Sequence, residues 1–248
     1  MATEVAPGIH RLGNELVNFY LVEDGQGLTL VDAGLHGFLG QLEAFLRERR
    51  RTLSDVDAVI LTHAHGDHVG VAEAVRAAGA TVHVHQGDAE MARTAKDQER
   101  ERGMLPYLRH GAAWKLLGVG MRAGGYRRPK VAAVTEFGVD TELDVPGHPR
   151  TLHTPGHSHG HVVFHFPDRG ALLAGDAVCT WNPLTGRPGP QLMPGAFAVS
   201  STQAMASLDR LEGLDAGVVL VGHGDPWTGG TNALVARARE AGLAATAP

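Results

Sequence analysis

Apolar residues recur in short runs separated by glycine- and acid-rich turns, which predicts many brief strands and amphipathic helices rather than long helices. Ile9 to Leu12, Leu16 to Val22 and Leu28 to Val31 have strand character, the last two joined by the turn Glu23-Asp24-Gly25-Gln26-Gly27. From Phe38 to Arg50 the apolar residues Phe38, Leu39, Leu42, Phe45 and Leu46 fall at helical spacing. An apolar strand from Asp57 to Leu61 runs into a histidine-rich loop. A helix from about Val69 to Ala78, a strand from Thr81 to His85 and a helix from about Asp88 continue a β-α rhythm.

The second half predicts strands over Val139 to Val145, Thr151 to His153, Val162 to Phe166 and Ala171 to Ala174. Helix Thr202 to Leu211, strand Gly217 to Val221 and helix Asn232 to Ala241 complete the pattern. Strands in both halves with helices between them imply an α/β protein, two sheets face to face and covered by helices. No low-complexity linker divides residues 1–248, so a single domain is expected. Residues 93–130 differ: ten Lys/Arg against three Asp/Glu give a local +7, alongside Met104, Leu105, Tyr107, Trp114, Leu116, Leu117 and Met121. This stretch is expected to be a helical insertion.

Composition narrows the function classes. No run approaches the roughly 18 apolar residues of a membrane span, so no membrane partner is expected. The start, ATEVAPGIHRL after Met1, lacks the features of a secretory signal, and a cytoplasmic location is expected. The lone Cys179 excludes an intrachain disulfide framework. With a formal charge of −5, a nucleic-acid partner is not expected. Fifteen histidines among 248 residues point instead to metal or proton chemistry.

The sharpest signal is Thr62-His63-Ala64-His65-Gly66-Asp67-His68. His63 and His65 are two apart, so on an extended strand end their imidazoles share one side. Neutral imidazole is a donor suited to zinc. Asp67 and His68 bring the donors to four in six residues, facing two directions, which suggests two adjacent ions. Further donors are available where other apolar runs end beside glycine: His157 in Pro155-Gly156-His157, Asp176 after Gly175 and His223 between Gly222 and Gly224. Ligands at strand ends are usual in α/β proteins.

These motifs, with Val31-Asp32-Ala33-Gly34 before them, resemble the metallo-β-lactamase-fold hydrolase superfamily over nearly the whole chain. The resemblance implies a four-layer αββα sandwich with a binuclear site between the sheets. It implies that His63, His65 and His157 bind one metal, that Asp67, His68 and His223 bind another, and that Asp176 bridges them. Two Zn²⁺ per chain are expected, with iron or manganese as alternatives. A hydroxide shared by ions roughly 3.5–4 Å apart would then be the nucleophile, oriented by Asp67 in a second role. Asp32 either stands near the metals or caps the turn before Gly34. His159 and His161 are candidates to support the ligands from behind, and His36 to reach the pocket rim. Cys179 either lines the site or packs as a small buried hydrophobe.

Within the superfamily, β-lactamases generally carry cysteine or serine at the bridging position, so Asp176 argues against that activity. Glyoxalase II-type thioesterases add a C-terminal helical domain, whereas only 25 residues follow His223. Lactonases match in length and ligand set, although acyl-homoserine lactonases have tyrosine where this chain has Cys179. The resemblance therefore implies hydrolysis of a small ester, lactone or thioester. The alternatives are a mononuclear iron sulfur dioxygenase, a β-lactam or phosphodiester hydrolase, or a metal-binding scaffold without turnover. The insertion is either a lid gripping a small, anionic substrate or a packing surface for the body or a second subunit in a homodimer. Trp181, Leu192, Met193 and Phe197 would form an opposite wall or pack in the core.

Overall fold

Short turns between successive apolar runs keep strands that are neighbours in sequence neighbours in space. The computed structural model describes residues 2–25, 27–127, 129–138 and 140–248. Its first sheet has seven strands in sequence order: β1 (Thr3–Ala6), β2 (Ile9–Gly13), β3 (Asn18–Asp24), β4 (Gly27–Val31), β5 (Ala58–Ile60), β6 (Thr81–His85) and β7 (Thr135–Phe137). Hairpins make β1 to β4 antiparallel. Crossovers through α1 (Leu39–Glu48), α2 (Ala72–Ala77) and then α3 (Ala89–Thr94) and α4 (Gly111–Arg122) make β4 to β7 parallel. The second sheet uses β8 (Arg150–His153), β9 (Val162–Phe166), β10 (Ala171–Gly175) and β13 (Val218–Val221) in the order β13-β10-β9-β8. A ribbon of β11 (Cys179–Trp181) and β12 (Pro188–Gln191) lies apart, and α5 (Ser201–Ser207) and α6 (Thr231–Ala241) complete the chain's helices among the described residues.

The strand period of two explains the layering. Phe19 and Leu21 of β3 face Leu42, Phe45 and Leu46 of α1 and Val75 of α2. Their neighbours Tyr20 and Val22 face the other way, into a core with Phe164, Phe166 and Leu173 of the second sheet. Val163, Leu172 and Ala174 then reach a third core with Ala204 of α5 and Leu234, Val235 and Ala238 of α6. Strands apolar on both faces thus build the expected αββα sandwich.

Two expectations change. The strand predicted over Val139 to Val145 does not form: Val139 lies outside the described residues, and only Glu142 makes a bridge, to Arg150. Leu143 and Val145 are still buried between the sheets, so their alternation reports burial rather than pairing, and Pro146-Gly147 turns the chain away. The insertion is helical only in part. Residues 95–104 carry no regular structure, a 3₁₀ turn covers Leu105–Arg109, and α4 follows. The segment is tied down where Tyr107 and Ala113 pack on Leu184 and Ala196, and where the Tyr107 hydroxyl donates to the Thr246 carbonyl. Of the turn and insertion residues, Gln26 and Arg128 lie outside the described residues, as does Met1. No helix among the described residues is long and apolar enough to cross a membrane.

Candidate metal centre

The C-terminal ends of β4, β5, β8, β10 and β13 converge, and each delivers a polar side chain to the seam between the sheets. Three imidazole nitrogens meet first: His157 Nε2 lies 3.1 Å from His63 Nε2 and 2.8 Å from His65 Nδ1. Asp67, His68 and His223 form a second group, with His223 Nε2 3.4 Å from Asp67 Oδ2 and His68 Nε2 4.0 Å from the same oxygen. Asp176 stands between the groups. Its Oδ2 is 3.3 Å from both His157 Nε2 and His223 Nε2, and its Oδ1 is 3.5 Å from His68 Nε2. All seven residues singled out in the sequence are therefore brought together.

The donor atoms are aimed by partners behind them. Asp32 follows β4 in a left-handed conformation (φ 57°) that L-residues rarely adopt. Its carboxylate accepts from the Thr62 amide at 2.8 Å and pairs with His68 Nδ1 at 2.9 Å, which turns His68 Nε2 inward. The Thr62 hydroxyl donates to Asp32 and so can only accept from His63 Nδ1, 3.1 Å away, leaving a lone pair on His63 Nε2. His223 Nδ1 donates to the Leu16 carbonyl at 2.5 Å with the same result. Asp32 is thus a positioning residue at the site. Gly222 is required by space: a Cβ there would lie 2.2 Å from Asp176 Oδ1.

Electrostatics divide the site. Burial holds the rings of His63, His65 and His157 below the usual imidazole range, so this group is neutral and has free lone pairs. Burial also opposes charge on His68, yet Asp176, Asp32 and Asp67 outweigh it and raise that ring to about 10. His223 is raised by Asp176 and Asp67 against the same opposition. Burial works against the Asp176 carboxylate, but His223, His68 and His157 hold it well below the usual range. Three buried atoms here, His68 Nε2, His157 Nδ1 and Asp176 Oδ1, have no hydrogen-bond partner. Facing lone pairs on the neutral imidazoles of His63, His65 and His157 and the unpaired Asp176 Oδ1 fit cations, which satisfy several such donors at once. The groups His63/His65/His157, His63/His68/Asp176 and Asp67/His68/His223 are each tight enough to hold one.

One residue of this site escaped the sequence reading. Asp88, fully buried after β6, accepts from the Ala64 amide at 3.1 Å, the Ser158 hydroxyl at 2.6 Å and the Gly160 amide at 2.8 Å. It thereby joins the loop of His63 and His65 to the loop of His157. Gln98 extends the link into the insertion, donating to Asp88 and accepting from the His159 amide. The only sequence signal was a carboxylate just past an apolar strand, the same placement as Asp32 and Asp176.

The supporting histidines separate. His161 is buried, donates to Thr154 Oγ1 at 2.8 Å and accepts from the Asp176 amide at 3.1 Å; burial lowers its ring to about 4. His159 is exposed and its ring has no hydrogen-bond partner among the described residues, and exposed His36 lies outside the cavity lining. His161→Ala is expected to weaken divalent-metal affinity by about 10-fold, the lower end for a ligand's supporting partner. Competition against a chromophoric chelator measures this, and unchanged affinity would remove His161 from the site.

Above the donors lies a cavity of roughly 520 Å³. The insertion covers it, through Met104, Leu116 and Val119, and Met193 and Phe197 form the opposite wall. Leu192 packs in the core instead, and neither it nor Trp181 lines the cavity. Cys179 is fully buried and also outside the lining, its thiol pushed well up by burial, so it acts as a small hydrophobe.

The profile of the Metallo-beta-lactamase superfamily matches residues 12–223. The probable metallo-hydrolase YflN of Bacillus subtilis (strain 168) is 28% identical over 236 residues, covering 91% of this chain and 87% of YflN. Hydroxyacylglutathione hydrolase of Cereibacter sphaeroides is 28% identical over 171 residues, covering 66% of this chain and 52% of that protein. Among solved structures, a metallo-beta-lactamase family protein from Thermus thermophilus superposes with a TM-score of 0.66 at 28% identity, covering 94% of this chain and 78% of that one.

Proposed function

The chain belongs to the Metallo-beta-lactamase superfamily and is a metallo-hydrolase, and from that premise we propose that it cleaves a small ester, lactone or thioester with two zinc ions. The observation that carries this reading is the position of Asp176, within 3.5 Å of nitrogens from both donor groups. His63, His65 and His157 would hold one ion, Asp67, His68 and His223 the other, and Asp176 both. Such ions supply Lewis acidity to a carbonyl oxygen and lower the pKa of water. Imidazoles with two carboxylates suit zinc, and accept iron or manganese as well; His68, raised by its carboxylate neighbours, would release its proton as the ion binds.

The protein's own contribution is orientation and exclusion of water. Asp32, Thr62 and the Leu16 carbonyl fix which nitrogen of His68, His63 and His223 faces inward. Asp67, half-buried on the cavity floor, has the carboxylate best placed to hold an attacking water by its hydrogen. Met104, Leu116, Met193 and Phe197 offer apolar contact to an acyl or ring portion. No cysteine nucleophile is needed, in keeping with buried Cys179. The Asp67/His68/His223 group favours two ions over a mononuclear iron centre. A relative named hydroxyacylglutathione hydrolase supports an acyl substrate.

Proton release at constant pH from zinc-loaded protein tests this, with a lactone, an acyl thioester, a phosphodiester and a β-lactam in parallel. Turnover of the lactone or thioester alone is expected. Turnover confined to the phosphodiester or β-lactam, or none with iron as the resident metal, would overturn the acyl reading.

A further inference from the structure

We propose that the insertion seats α4 on an anionic lipid surface. Six large apolar side chains are conspicuously exposed among the described residues, and five of them, Leu105, Trp114, Leu117, Met121 and Tyr126, belong to the insertion. Such clustering marks an interaction surface, whereas scattered exposure would need no explanation. Trp114, Leu117 and Met121 recur at intervals of three and four, so they form one stripe along α4 that reaches the mouth of the cavity, where Leu117 and Met121 are part of the lining. They are 60%, 45% and 59% exposed, too much for a stripe that packs on its own chain.

Charge identifies the occupant. Exposed Arg122, the last residue of α4, and exposed Arg127 and Lys130 after it have no carboxylate partner among the described residues. The insertion carries +7 in sequence while the rest of the chain carries −12, and of its cations Arg93, Arg100 and Lys115 are taken up by Glu136, Asp97 and Glu15. A second copy meeting it across a two-fold axis would oppose these cations to themselves. An anionic membrane surface takes both the stripe and its cationic rim, with tryptophan at the boundary. Peripheral seating needs no spanning helix, so it replaces the expectation of no membrane partner without conflicting with the absence of one. Leu117 and Met121 line the same cavity as His65, Asp67, His157, Asp176 and His223, so a seated α4 would bring the cavity mouth to the lipid surface. Seating stands apart from the catalytic reading, because binding is measured without turnover.

Cosedimentation of the full chain with vesicles of phosphatidylcholine, and of phosphatidylcholine mixed with phosphatidylglycerol, tests the proposal. The protein is expected to sediment with the mixed vesicles alone and to be released by added salt. Arg122→Ala and Lys130→Ala are each expected to weaken partitioning by about 5-fold, and Trp114→Glu to abolish it. The melting temperature of each variant confirms that it is folded; the two cation variants carry the test if Trp114→Glu, which loses the bond to the Leu108 carbonyl, is not. No sedimentation, equal sedimentation with both vesicles, or a solution dimer that Trp114→Glu dissociates without any vesicle binding would overturn it.

Discussion

Asp176→Ala is expected to remove turnover and metal together while the fold persists. The carboxylate lies within 3.9 Å of His63, His157 and His223 through Oδ2, and within 3.5 Å of His68 through Oδ1. Losing it takes a donor from both sites and the anion from the one place where four imidazoles converge. Removal of a mere supporting partner costs a metal site about 10–100-fold, so a drop of more than about 100-fold in turnover is the least expected here. Bound metal should fall below the wild-type content. Apolar packing around β10 is untouched, because Leu172, Leu173 and Ala174 keep their cores, so the far-ultraviolet circular dichroism should be unchanged. Full turnover with undiminished metal would break the assignment of Asp176 to both sites.

Asp88→Ala is expected to give the largest loss of stability at a single polar residue. It strands the Ala64 and Gly160 amides and the Ser158 hydroxyl, all buried, without their acceptor. Each buried donor left unpaired costs about 1–3 kcal/mol, so the metal-free protein should lose about 3 kcal/mol or more in denaturant unfolding. The two ligand loops would also lose their common anchor, and metal affinity should fall about 10–100-fold. Should the alanine variant not fold, Asp88→Asn keeps one acceptor and is expected to fall between it and the wild type. An unchanged unfolding midpoint in either variant would show that the loops hold themselves.

The fold was legible where residues on both faces of a strand are apolar, as in β3, β9 and β10, because a strand with two apolar faces needs cover on both sides. It was illegible in β7, three residues long, and in β12, Pro188-Gly189-Pro190-Gln191, whose composition argues against a strand. The run from Val139 misled because a loop lying across a core edge buries alternate residues much as a strand does. The candidate metal donors stood out because four of them crowd one loop and the others sit beside glycines at strand ends. Asp88 was not: its partners are two backbone amides, a serine and a glutamine from three separate segments, and no local pattern announces them. The insertion showed its charge in the sequence, but its place over the cavity arises from contacts with residues far along the chain, such as Tyr107 and Ala113 on Leu184 and Ala196 and Gln98 on Asp88.

Two ions sharing Asp176 are the premise of the proposed hydrolysis. Metal content per chain, measured by inductively coupled plasma mass spectrometry on zinc-loaded and desalted protein, tests that most directly. Two zincs per chain are expected in the wild type. A single ion per chain under the same loading would contradict that premise, leaving Asp67, His68 and His223 without an ion to hold.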